Sequence, residues 1–110
     1  MFDVSEETAD RYHVVTVAGE VDVATAPKLR DRLDGAIDAG TPLLVVDLTS
    51  VTFIDSTGLG VLIGAAKRVD GTEGAMRLVI AEPRILKLFE ITGLLDLFAI
   101  VSSREQALAP

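Results

Sequence analysis

The chain has no cysteine, one histidine and one tyrosine. Without cysteine there is no disulfide and no thiolate metal site, which agrees with a reducing compartment. A lone histidine, His13, excludes histidine metal clusters; it opens a strand, where a partly buried edge residue is expected, and so leaves a serine nucleophile short of a base. Aromatics are few: Phe2, Tyr12, Phe53, Phe89 and Phe98. The core must therefore be built from Val, Leu, Ile and Ala. Basic residues are also scarce, 10 Lys and Arg against 17 Asp and Glu, for a net charge of −7. They form no dense block. An acidic chain without a basic stripe is a poor ligand for nucleic acid or for an anionic membrane, although it accommodates a basic protein partner. No apolar run is long enough to span a bilayer. The opening MFDVSEETAD is acidic and polar where a secretory leader needs a basic and then an apolar stretch, so a cytoplasmic protein is expected.

What is present fits one α/β domain over residues 1–110, with no linker, repeat or low-complexity tract. Strands are expected near residues 2–7 and at 13–18 (HVVTVA), the second closed by Gly19. Thr25 is a candidate helix cap, with Pro27 in the first turn, where a missing N–H costs nothing. Ala26, Leu29, Leu33, Ala36 and Ile37 then recur at helical spacing until Gly40. The run LLVVDLTSVTFI reads as strand, with 43–48 its buried part. A helix with Leu59, Leu62, Ile63 and Ala66 on one face follows and ends at Asp70-Gly71. Residues 77–81 read as a strand. Pro83 opens a helix with Ile85, Leu88 and Phe89 inward, closed by Gly93. A last strand at 98–101 and a terminal helix at 103–108 complete the order. Such alternation predicts a mixed sheet of about five strands with about four helices mainly on one face. Leu29, Leu33, Val45, Leu62, Ile63, Leu88 and Phe89 are the expected core.

The most informative stretch is VTFIDSTGLGVLIGAAKR. The apolar strand stops at Asp55-Ser56-Thr57-Gly58, which puts a hydroxyl, Ser56, at the first turn of a helix. A helix N-terminus has unpaired N–H groups and a partial positive charge, and so suits a phosphate. An ordinary capping serine would occupy the same place. Capping explains Asp55 equally well, and a simple turn role explains Asp22. Gly58, Gly60 and Gly64 lie in a helical window where each costs up to about 1 kcal/mol relative to Ala. They either let the helix pack closely on the sheet or leave a bare surface for a partner backbone. Gly60, Gly64 and Lys67 share the face away from Leu59, Leu62 and Ile63. Val61 beside them is a candidate exposed apolar anchor.

Asp55-Ser56-Thr57-Gly58-Leu59-Gly60 resembles the signature of the STAS domain in its branch of anti-sigma factor antagonists (anti-anti-sigma factors). Gly19-Glu20-Val21-Asp22, Ala24-Thr25-Ala26, Val45-Val46-Asp47-Leu48, Phe53-Ile54, Gly58-Leu59-Gly60-Val61-Leu62 and Gly93-Leu94 extend the resemblance over nearly the whole chain. It implies that Ser56 is phosphorylated by an anti-sigma factor that is itself a serine kinase. A serine phosphatase would remove the phosphate, and the unphosphorylated form would bind the anti-sigma factor and release sigma. Asp22 and Asp55 would support the switch, with Asp22, Thr57, Gly58, Gly60, Val61 and Gly64 contacting the partner. Thr57 departs from relatives that carry a second serine there, and is a minor candidate phosphoacceptor. The alternative is a STAS adaptor subunit of a transport or signalling assembly, without phosphorylation.

Neither reading needs a cofactor, a metal or catalysis. The aspartic-protease triplet would need one residue fewer between Asp55 and Gly58. A nucleophile elbow needs glycine where Ile54 stands, and no Gly-Lys-Ser/Thr phosphate loop occurs. Asp22, Asp47 and Asp55 could gather as a Mg²⁺ site only in a receiver-type fold, whose paired acid and terminal lysine are missing.

Overall fold

The computed structural model describes residues 1–110. The elements are β1 (Phe2–Thr8), β2 (Tyr12–Val21), α1 (Ala26–Asp38), β3 (Leu43–Ile54), α2 (Ser56–Asp70), β4 (Ala75–Val79), α3 (Pro83–Ile91), β5 (Ala99–Val101) and α4 (Arg104–Leu108). The sheet order is β1-β2-β3-β4-β5. β1 pairs antiparallel to β2, and every later neighbour is parallel. Each parallel strand joins the next through one helix. Crossovers of one hand, repeated in one direction along a sheet, deliver their helices to the same face.

The core follows that rule. Val15, Val17, Leu44, Val46, Leu48 and Leu78 meet Leu29 and Leu33 of α1, Leu59 and Leu62 of α2, and Ile85 and Phe89 of α3. Fully burying a side chain of this size stabilises the fold by roughly 1.5–3 kcal/mol. Phe89 and Phe98 stack edge to face, with ring centres 5.5 Å apart. The alternate strand residues Val14, Val45 and Val79 point to the other face and pack on Ala107 of α4. Two polar contacts tie α4 down. Arg104 donates to Asp47 Oδ2 from Nε (3.2 Å) and Nη2 (3.0 Å), and from Nη2 to Thr16 Oγ1 (2.6 Å). Arg77 Nη1 donates to the carbonyls of Ala107 (2.6 Å) and Ala109 (3.0 Å).

The structure departs from the sequence-based expectation in three respects. Gly19 does not end β2. It sits inside the strand at φ +92°, next to a register shift, and the strand runs on to Val21. A side chain there would strike Met1, whose carbonyl oxygen would lie 1.9 Å from a Cβ and which accepts from the Glu20 N–H. His13 is buried within β2 and shielded by β1, rather than being the partly buried edge residue expected. Ile63 and Leu88 are only half-buried, because they lie at the margins of their helices' packed stripes.

His13 Nε2 lies 2.6 Å from Glu6 Oε1, and Arg32 Nη1 of α1 donates to Glu6 Oε2 at 2.7 Å. Burial opposes ionisation of Glu6. The hydrogen bonds from His13 and Arg32 nevertheless hold its carboxyl below the ordinary range. An unfolded glutamate titrates near about 4.3. Ionised Glu6 therefore stabilises the fold above that pH, and the contribution is lost as pH falls through the lower folded-state value. Urea unfolding across the acid range should show the advantage of wild type over Glu6→Gln shrinking below about pH 4. A difference independent of pH would contradict this linkage.

Candidate functional site

The site lies where β2 and β3 end together. Val21 and Ile54 are partners in the parallel ladder, so Asp22 and Asp55 leave adjacent strand ends. The Asp55 N–H closes the junction by donating to the Val21 carbonyl at 3.2 Å. Asp55 is extended, with φ −104° and ψ −173°, and its Oδ1 accepts the Gly58 N–H at 3.1 Å. This is N-cap geometry, so Asp55 rather than Ser56 caps α2. Ser56 is the first helical residue. It is exposed, its hydroxyl is bonded to nothing in the chain, and the N–H groups of Ser56 and Thr57 have no protein acceptor. Thr57 is half-buried.

Asp22 shapes the neighbouring turn. Its Oδ1 accepts from the N–H of Ala24 (2.9 Å) and Thr25 (3.1 Å). Such a turn is the usual work of an aspartate side chain. Thr25 stands at the cap position of α1 but makes no capping bond. Its hydroxyl turns back, donating to the Glu20 carbonyl at 2.9 Å and accepting the Asp22 N–H at 3.0 Å. The turn is thus braced from both ends, and Asp22 is fixed beside the Asp55 cap. One oxygen of each carboxylate serves the backbone, which leaves Oδ2 of both without a partner in the chain.

The glycines divide by environment. Gly58 is buried, and a Cβ there would come within 2.7 Å of both Val21 Cγ1 and Ile54 Cγ1. It serves close packing of α2 on the strand ends and offers a partner nothing, contrary to its assignment as a contact residue. Gly60 and Gly64 are exposed, with open space where a side chain would go. They border a groove between α1 and α2 with Arg30, Asp34 and Arg68. Arg68 bridges that groove, donating to Asp34 and Asp38 of α1 at 2.7 Å each. Val61 is not the exposed anchor expected of it. It is 4% exposed and belongs to the core, because α1 as well as the sheet covers α2 and widens its apolar stripe.

Asp47 is held by Arg104 on the far face and takes no part in this end of the sheet. No group of three His, Cys, Asp or Glu side chains is arranged to hold a metal ion. No helix is long and apolar enough to cross a membrane. Two exposed apolar residues near the site escaped the sequence reading: Val23 in the Asp22 turn and Phe53 at the end of β3.

The STAS domain family profile matches residues 3–107. The chain belongs to the STAS family. It is similar to an anti-sigma-B factor antagonist of Bacillus subtilis, 41% identical over 91 residues that cover 83% of each chain. It is also similar to one of Staphylococcus aureus, 36% identical over 103 residues, covering 94% of this chain and 95% of that one. Among solved structures, an anti-sigma factor antagonist from Mycobacterium paratuberculosis superposes with a TM-score of 0.90. It is 30% identical and covers 98% of this chain and 92% of its own. These relatives place the STAS domain described here in the group of anti-sigma factor antagonists.

The glycines are separable by stability. Gly58→Ala should lower the unfolding free energy by about 1–3 kcal/mol, because the added methyl overpacks two branched side chains. Gly60→Gln should raise it by up to about 1 kcal/mol, through helix propensity in free space. Urea titrations of both variants give the signs. Equal effects at the two positions would contradict the division.

Proposed function

We propose that this STAS domain is an anti-sigma factor antagonist controlled at Ser56. In this reading its unphosphorylated form binds an anti-sigma factor that is a serine kinase, and sigma is released. The observation that carries it is the free, exposed Ser56 hydroxyl on the first turn of α2, fixed between the Asp55 cap and the Asp22 turn. The kinase transfers the γ-phosphoryl group of ATP to Ser56 Oγ. The O–P bond to Ser56 forms as the bond to the ADP leaving group breaks, and the hydroxyl proton departs. A serine phosphatase reverses the modification by hydrolysis. The setting is the cytoplasm, with no cofactor and no direct contact with nucleic acid.

The free N–H groups of Ser56 and Thr57 favour a phosphate at this helix end. Such a phosphate brings roughly −1.5 to −2 charges next to the carboxylates of Asp22 and Asp55. The fold tolerates the group, while a partner fitted to a small neutral hydroxyl meets concentrated negative charge. Charge, rather than rearrangement, is then the signal. The exposed Gly60 and Gly64 continue this surface along α2 as a place for close backbone approach.

Incubation with a kinase-type anti-sigma factor and ATP should add one phosphate to the wild type and none to Ser56→Ala, as read by intact mass and peptide mapping. Ser56→Asp should keep its urea midpoint, since an acidic residue suits a helix N-terminus. It should also bind the kinase about tenfold more weakly or worse, a loss of about 1.4 kcal/mol. Phosphate mapped mainly to Thr57 or Ser50 would overturn the assignment. An unfolded Ser56→Asp would overturn the charge mechanism.

A further inference from the structure

The sheet ends unevenly. β3 last pairs with β4 at Asp47 and Val79, then continues to Ile54 against β2 alone. Residues 48–54 therefore project beyond β4 as an arm paired with β2, which β1 in turn flanks as far as Gly19. Two register shifts, one between the pairs Thr16–Asp47 and Ala18–Ser50 and one between Gly19–Val51 and Glu20–Phe53, each put an extra residue in β3 and add local twist to it. Val21, Val51 and Ile54 bury its inner side. Phe53 does not join the core and is 48% exposed, and Val23, in the turn leaving the arm, is 72% exposed. A single exposed apolar side chain needs no explanation. These two flank one point. Val23 lies two residues beyond Val21, Phe53 immediately precedes Ile54, Val21 and Ile54 are ladder partners, and Ser56 follows two residues later. The carboxylates of Glu20, Asp22 and Asp55 belong to the same strand ends.

We propose that Val23 and Phe53 are the apolar anchors of the partner interface, and that the surface they fit is a protein face with an apolar hollow rimmed by basic side chains. The inference rests on the functional reading above, so that face belongs to the anti-sigma factor kinase. Interfaces concentrate affinity in a few apolar side chains surrounded by polar groups that exclude water. Carboxylates around the anchors select a basic rim and suit the chain's negative charge. Ser56 lies within that ring, where a new charge would lose its water on docking. The chain has a second exposed apolar group, Ile91, Leu95 and Leu97. Leu97 lies just before β5, at the end where the parallel strands begin, whereas Ser56 follows the end where β3 finishes. The two groups are thus at opposite ends of the sheet, and only one is next to the hydroxyl.

Calorimetric titration of a kinase-type anti-sigma factor tests the pair, using Val23→Ser, Phe53→Ser and the double variant, with Ile91→Ser for comparison. Urea unfolding of each free variant checks the fold, and Val23→Ser, in an exposed turn, keeps the test open if Phe53→Ser is destabilised. Each anchor variant should weaken binding by about tenfold or more, and the double variant further, with Ile91→Ser unchanged. Wild-type affinity in folded anchor variants, with Ser56 still phosphorylated, would overturn the anchors alone. So would weakening by Ile91→Ser only. A wild-type dimer that becomes monomeric in the anchor variants before kinase is added would make the face a self-interface and overturn the proposed partner. Absence of both binding and phosphorylation in the wild type would overturn this inference together with the functional reading.

Discussion

The first turn of α2 rests on two strand ends with only a hydrogen between them at Gly58. Val21 and Ile54 approach so closely that a methyl group would collide with both. Everything specific about this end of the molecule depends on that contact. It lets the chain turn from β3 into a helix within one residue, so that Asp55 is at once the last extended position and the cap. The cap in turn consumes the Gly58 N–H and leaves those of Ser56 and Thr57 unpaired. The Asp55 N–H bond to Val21 registers the helix start against the neighbouring strand, which is where the Asp22 turn begins. A bulkier residue at position 58 would lift the helix and move the hydroxyl away from both carboxylates.

The opposite face is organised by charge. Asp47 is buried, and Arg104 reaches it from the short terminal helix while also bonding Thr16, so β2, β3 and α4 share one polar node. Thr49 N–H supplies the second oxygen of Asp47 with a partner at 3.0 Å. Removing one member of such a node leaves a buried charge uncompensated, and that is costly even where the intact pair adds little net stability. The apolar contact beneath it is small, with Val14, Val45 and Val79 against Ala107. A helix of five residues has little intrinsic stability. Its position owes much to Arg104 and Arg77, which hold it at its start and its end.

Much of the fold was legible in the sequence, because its signals were redundant. Pro83 at a helix start, the alternation of strand and helix patterns, and the abrupt change of period at Asp55 all agree with the observed elements. Ser56 at the first turn followed from the same change of period. The failures share one physical cause, which is that the apolar pattern records whether a side chain avoids water but not which neighbour covers it. Val61 looked peripheral because the pattern was read for a helix covered on one side, whereas α1 and the sheet both cover α2. Phe53 stood in an apolar strand-like run beyond its buried part, 43–48, and nothing local shows that β4 stops short at Val79. Gly19 looked like a stop because its partner in the close approach, Met1, is distant in sequence. The Asp47–Arg104 node joins residues 57 positions apart, beyond the reach of any short-range pattern.

Ser56 also donates no backbone hydrogen bond within its own helix, since the N–H of a first helical residue has no intrahelical acceptor. An enzyme that adds or removes a group on its hydroxyl therefore opens no backbone bond to reach it. Proteins whose modifiable residues are buried must wait for local unfolding, and their modification rates then follow local stability. In the switch proposed at Ser56 the two quantities are uncoupled: the domain could be stabilised through its core without becoming a poorer substrate, and the lifetime of the fold and the rate of modification could be tuned independently.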